Sequence, residues 1–214
     1  MRRGFFLVFE GIDKCGKSTQ ARLLAGAFKR LGIPLILTRE PGGTVLGEQI
    51  RRILLYFKGN VSPMAELLLY EASRAEHVAS KVAPALRQGK LVICDRFTLA
   101  TLAYQAAGRG LNLSLVDRLN HWAAFGIKPD LTVVLDLPVS VSLKRMGRKR
   151  DRMEQKAAFM KKVRRAYIEL SRRRSDIFLV PADEPVDRLR ETIEHLIKRH
   201  PKFRRFAKSR RLFQ

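Results

Sequence analysis

Phe5-Phe6-Leu7-Val8-Phe9 is an unbroken apolar run that ends at Glu10, the pattern of a strand buried on both faces. Leu23, Leu24, Ala27, Phe28 and Leu31 then recur at helical spacing, with Gly32 where a helix stop is expected. Leu35-Ile36-Leu37, Leu91-Val92-Ile93-Cys94, Leu131-Thr132-Val133-Val134-Leu135 and Ile177-Phe178-Leu179-Val180 predict four more strands. Helical patterning covers about 64–86, 99–105, 114–125, 154–173 and 185–198, and another helix starts at Pro138. Pro63 sits just inside the start of the 64–86 helix and Gly89 just past its end. Strands alternating with helices predict a three-layer α/β fold: a five-stranded parallel sheet with helices on both faces.

Between the first strand and the first helix lies Gly11-Ile12-Asp13-Lys14-Cys15-Gly16-Lys17-Ser18, followed by Thr19. It fits the P-loop pattern at every position and stands in the context that pattern requires. Glycines let successive N–H groups turn toward phosphate oxygens, and the helix start adds its positive dipole end. Lys17 can reach β- and γ-phosphates, and the Ser18 hydroxyl suits Mg²⁺, a hard cation. The expected fold is therefore that of a P-loop NTPase, with Gly11 to Thr19 cradling the phosphates of ATP.

Charge changes the picture more than size does. The 214 residues suit one domain. They contain 43 Lys and Arg against 20 Asp and Glu, a net +23 that draws anions. From Lys198 to Arg211 there are eight basic residues and no acid. No run is long enough for a membrane span, and the first apolar stretch is too short for a signal-peptide core. Two cysteines, Cys15 and Cys94, make no disulfide framework, so a reducing, cytoplasmic setting is the simpler reading.

Arg39 and Arg96 follow the second and third strands, at carboxyl ends that face the ligand crevice of an open α/β sheet. A guanidinium can grip a phosphate with two parallel hydrogen bonds, although a surface ion pair is the plain alternative for either residue. Asp95 ends the third strand as a candidate Mg²⁺-linked carboxylate or a helix N-cap. Tyr70 and Arg74 share a helix face, where an aromatic is more often core.

Order and spacing narrow the function further. Glu10-Gly11-Ile12-Asp13, Thr38-Arg39-Glu40-Pro41-Gly42-Gly43-Thr44, Ala72-Ser73-Arg74-Ala75-Glu76-His77, Asp95-Arg96-Phe97, Ala103-Tyr104-Gln105, Gly108-Arg109-Gly110, Pro129-Asp130-Leu131 and Asp151-Arg152-Met153-Glu154 recur in sequence. On these segments, the chain resembles the thymidylate kinase family from the first strand to about residue 197. The resemblance implies Mg²⁺-dependent transfer of the ATP γ-phosphoryl to dTMP, giving dTDP and ADP on the way to dTTP. It implies that Arg96 holds the acceptor phosphate with help from Arg39, and that Pro41, Thr101 and Gln105 line the same pocket. Tyr70 would stack on thymine, Arg74 would bond the base edge, and Tyr104 would crowd the deoxyribose. Asp13 would face the sugar or acceptor phosphate, although an Asx turn remains the alternative.

The resemblance also implies a kinase domain over 1–200 with a lid at about 144–153, followed by a basic C-terminal tail over 201–214. Arg145, Arg148, Lys149, Arg150 and Arg152 surround Gly147 in that lid. The catalytic cation, beside Lys17 and Arg96, is Lys14 in the loop or a lid arginine, Arg148 or Arg150; both positions are basic here. Departures from the family pattern are Tyr70 for the usual Phe, Glu71 for a small residue, and Ala106-Ala107. Partners implied are ATP, dTMP and a second copy of the chain. Nucleic acid is a secondary candidate through the tail, where Phe203, Phe206 and Phe213 could instead dock on the domain.

Overall fold

The five apolar runs do become one sheet. The computed structural model describes residues 3–146 and 157–209. Strands β1 (Phe5–Glu10), β2 (Leu35–Arg39), β3 (Leu91–Asp95), β4 (Leu131–Asp136) and β5 (Ile177–Pro181) pair in parallel in the order β2-β3-β1-β4-β5. With helices around it, this is the expected α/β class.

The continuous character of β1 has a direct cause: its side chains serve two cores. Phe5, Leu7 and Phe9 pack with Leu91, Ile93, Leu131 and Val133 on one face. Phe6 and Val8 pack with Val92, Cys94, Val78, Val82 and Phe97 on the other. Burying each such side chain stabilises the fold by roughly 2 kcal/mol. A run apolar at every position is what a central parallel strand needs.

Helix α1 (Lys17–Arg30) buries Ala21, Leu24, Ala27 and Phe28 against that sheet. Leu31, expected on the same face, is instead the C-cap and 44% exposed. Gly32 takes the left-handed conformation of a helix stop, φ 73°. Helix α2 (Val45–Tyr56), absent from the sequence reading, is capped by the Thr44 side chain, which accepts from Gly47 N. Helix α3 (Pro63–His77) runs through a π-helical turn, Val78–Val82, into α4 (Ala83–Arg87). Helix α5 (Thr98–Thr101) likewise continues as a π-helical segment, Leu102–Gly108, before α6 (Leu113–Ala123). Both segments are wider than the α-helix that periodicity predicts.

Helix α7 (Val139–Met146) precedes α8 (Ala157–Arg172), and α9 (Val186–Arg199) follows β5. Helix α10 (Pro201–Lys208) corrects the picture of a free tail for these residues. Phe203 and Phe206 are buried, 1% and 6% exposed, and pack on Phe5, while Phe203 also stacks on Phe28 with ring centroids 5.3 Å apart. The docking alternative describes these two residues; Phe213 lies outside the described ones. Among the described residues, no helix is long and apolar enough to cross a membrane.

Candidate active site

The register pairs Phe9 with Asp95, so the loops leaving β1 and β3 emerge side by side. They open on a cleft of about 680 Å³ lined by residues that include Asp13 to Gln20, Arg39, Asp95, Arg96 and Arg145. This is the carboxyl edge of the sheet, where strand order reverses and α/β folds bind ligands.

The P-loop turn depends on a missing side chain. A Cβ on Gly11 would sit 2.5 Å from Leu135 O and 2.9 Å from Cys15 Sγ, and φ there is +130°. Lys14 at φ 58° and Gly16 at φ 101° complete the turn. From the adjoining α7, the Ser142 hydroxyl donates to Asp13 O at 2.7 Å, and Arg145 donates to Lys14 O at 3.2 Å. The Lys17 ammonium is held within the loop, donating to Ile12 O at 2.8 Å and Gly11 O at 3.1 Å. Cys15 is buried, and burial pushes its thiol up despite the nearby Lys17 charge. That fits a small residue completing the turn.

Ser18 donates to Asp95 Oδ2, while Asp95 Oδ1 is buried without a hydrogen-bond partner among the described residues. A hydroxyl beside an uncommitted carboxylate oxygen suits a hard cation. Ser18 and Asp95, the two residues predicted for Mg²⁺, are thus brought together. Among the described residues, no group of three or more His, Cys, Asp or Glu could hold a metal alone.

Arg96 lines the cleft. Its backbone is left-handed, φ 72°. Its guanidinium donates to Asp13 Oδ1, to Tyr104 OH at 3.2 Å and to Tyr167 OH at 3.3 Å, and lies over the Tyr104 ring. Tyr104 OH donates to Asp13 Oδ2 at 3.0 Å. Burial alone would raise the Asp13 carboxyl, but the Arg96 and Lys17 charges and the Tyr104 hydroxyl carry it below its ordinary value of 3.8. Asp13, Arg96 and Tyr104 therefore form one charged cluster, and the Asx-turn alternative for Asp13 gives way to an ion pair.

The remaining expected acceptor residues divide. Arg39 lines the cleft but also pairs with Glu48 at 2.9 Å. Pro41 is buried, and its carbonyl accepts from Arg51 at 2.9 Å. Tyr70 is partly buried against the main core, its phenol pushed up by burial and by the Glu66 charge. Three side chains expected to line the pocket have hydrogen-bond partners within the protein. Arg74 is 1% exposed and donates to Glu40, Glu71, Asn120 Oδ1 and Phe97 O. The Thr101 hydroxyl lies 2.6 Å from Asn120 Oδ1 and 2.9 Å from Thr98 O, and Gln105 donates to Glu66. His77 is buried and held between Thr38 and Glu40. Arg148 and Arg150, with Gly147, Lys149 and Arg152, lie outside the described residues.

Several residues of the site went unnoticed in the sequence. Arg51 lines the cleft from α2 but carries no motif. Gln20 holds Val186 O at 2.9 Å, tying α1 to the start of α9, and Ala182 and Glu184 of the preceding loop line the cleft beside Val186. Glu10 offered a signal: an acid ending a buried apolar strand must be satisfied by something. It is 0% exposed, and burial, opposed by the Arg96 charge, raises its carboxyl from an ordinary 4.5 to about 7.

Comparison with known proteins agrees with this geometry. Residues 9–193 match the family model described as thymidylate kinase. The chain is 48% identical over 176 residues to a thymidylate kinase of Pelotomaculum thermopropionicum, covering 80% of this chain and 82% of that one. It is 47% identical over 206 residues to one of Prochlorococcus marinus, covering 92% and 95%. The crystal structure of thymidylate kinase from Ehrlichia chaffeensis superposes with a TM-score of 0.77 at 31% identity, covering 92% of this chain and 99% of that one. The chain belongs to the thymidylate kinase family, phosphotransferases built here on a P-loop α/β fold.

Proposed function

We propose that the protein transfers the γ-phosphoryl of ATP to dTMP in a Mg²⁺-dependent reaction that yields dTDP and ADP and feeds dTTP synthesis. One observation carries this reading: the P-loop lysine and the Asp13–Arg96 ion pair, which Tyr104 backs from within the core, open on the same cleft. Gly11 to Thr19 take the donor phosphates, which draw the Lys17 ammonium from its loop carbonyls. Ala182, Val186 and Leu189 offer a wall to the donor base. Arg96, with Arg39, presents the acceptor phosphate in line with the donor. Tyr70 stacks on the base, and Tyr104 crowds the 2′ side of the sugar. Arg74 anchors the pocket, with four of its five N–H groups taken within the protein. Only its fifth remains for a base edge.

Ser18 and Asp95 would hold Mg²⁺, which would supply charge neutralisation at the phosphates. Lys14, Arg145, Arg148 and Arg150 are the candidates for the cation that meets the equatorial oxygens in the transition state. No covalent intermediate is needed. The test is ADP release with ATP, Mg²⁺ and a panel of dTMP, dUMP, UMP and CMP. dTMP should give the highest kcat/KM, and Lys17→Ala should lower kcat by roughly a hundredfold or more. Absence of dTDP would overturn the reading.

We place the enzyme in the cytoplasm, in keeping with two buried free cysteines, and as a homodimer. Val45, Leu46, Ile53 and Tyr56 of α2 and Leu68 of α3 are exposed apolar side chains on two helices that pack together. Sedimentation should give twice the chain mass, and Ile53→Glu should reduce it to one. Nucleic acid is not proposed as a ligand of the segment 201–208, since its two phenylalanines are buried and cannot stack on bases.

A further inference from the structure

Arg96 holds a left-handed backbone, a conformation that is costly for a non-glycine residue. Such a conformation persists only when its surroundings over-determine it, and here they do. Arg96 N donates to Phe9 O at 2.8 Å. The next turn is pinned from beneath by Glu10, whose Oε1 accepts from Phe97 N at 2.8 Å and Ala100 N at 3.2 Å. The other carboxylate oxygen, Oε2, accepts from Tyr167 OH at 2.9 Å. A phenol has one hydrogen and two lone pairs; Tyr167 gives the hydrogen to Glu10 and accepts the Arg96 guanidinium at 3.3 Å.

Neither Glu10 nor Tyr167 lines the cleft. Both are buried, at 0% and 1% exposure. Glu10 thus fixes the backbone that carries Arg96, and Tyr167 fixes its guanidinium, through the same carboxylate. We infer that Glu10 and Tyr167 are positioning residues that aim Arg96 at the acceptor phosphate, tying the cleft to α8. This inference rests on the acceptor-phosphate role of Arg96. The same helix supports the neighbouring wall: Phe159 lies under the Arg109 guanidinium and 6.2 Å from the Tyr104 ring.

A positioning role predicts a selective defect. Tyr167→Phe keeps the buried ring and removes only the hydroxyl. Equilibrium binding of dTMP should weaken about tenfold, the size of one charge-assisted hydrogen bond. KM for ATP should stay within about twofold, with the thermal midpoint nearly unchanged. Glu10→Gln should reproduce the selective loss. In an Arg96→Ala background, already weaker for dTMP, Tyr167→Phe should add nothing, because its target is gone.

Unchanged dTMP affinity in Tyr167→Phe, with Arg96→Ala still weak, would overturn the positioning role and leave the acceptor reading intact. So would a tenfold loss that persists in the Arg96→Ala background, or equal losses for dTMP and ATP with a lowered midpoint. Unchanged dTMP affinity in Arg96→Ala would instead overturn the acceptor reading itself.

Discussion

Two arginines, Arg74 and Arg96, were assigned by resemblance to the same substrate, yet their surroundings divide them. Arg74 is 1% exposed and faces two carboxylates, an amide and a carbonyl, all from the protein. The charges of Glu40 and Glu71 push its guanidinium up even though burial alone would lower it. The Arg96 side chain keeps 16% exposure and one full carboxylate partner, Asp13, with two phenols completing the cluster. One arginine joins the loop after β2, α3 and α6 from within; the other lines the cleft and still meets solvent. A cation whose partners are all internal contributes to stability and specificity of packing. A cation short of one anion is the one that can exchange partners with a phosphate.

The largest effect that would sharpen this contrast is on Arg96. Arg96→Ala should lower kcat/KM for dTMP about a thousandfold, with a change in urea midpoint that is small by comparison. A variant that unfolds readily but turns over normally when folded would break the contrast.

Arg74→Met should do the reverse. Leaving Glu40 and Glu71 buried without their cation should cost about 3 kcal/mol or more, read from urea unfolding. Per folded molecule, KM for dTMP should change far less than in Arg96→Ala. A large KM rise in Arg74→Lys at unchanged stability would instead make Arg74 a base reader.

pH separates the carboxylates around Arg96. Glu10 is raised from 4.5 to about 7, so the folded state binds its proton more tightly than the unfolded chain. Its contribution to stability is therefore fully present below pH 4.5 and is lost as pH rises toward 7. Asp13 is depressed below 3.8, so its contribution is present above that value and is lost on further acidification. Glu10→Gln should remove part of the decline in thermal midpoint between pH 5 and 7.5, about 1 kcal/mol or more in extent. An unaltered slope would mean that the carboxyl titrates normally.

The smallest effect is expected at Glu71. Its Oε1 is buried without a hydrogen-bond partner among the described residues, and burial raises its carboxyl. Glu71→Gln keeps an acceptor for Arg74 and should change stability by less than about 1 kcal/mol. A loss as large as that of Arg74→Met would make Glu71 an equal partner in the network.

The sequence by itself determined the sheet and the phosphate loop, because both are local. An unbroken apolar run reports burial on two faces, and Gly11 to Ser18 specify their own turn wherever a strand feeds a helix. It did not disclose α2, whose buried set is only Gly47, Ile50 and Leu54 while apolar side chains cover its outer face. It also could not say that Phe203 docks on Phe28, 175 positions earlier. Tertiary structure alone decided the use of each arginine. Spacing along a helix shows which residues share a face, but not whether that face meets a cleft or a carboxylate brought from elsewhere in the chain. Glu40 and Asn120 converge on Arg74, and Asp13, Tyr104 and Tyr167 on Arg96, only once the chain has folded. Each guanidinium then bonds to whatever oxygen the folded chain has placed within reach.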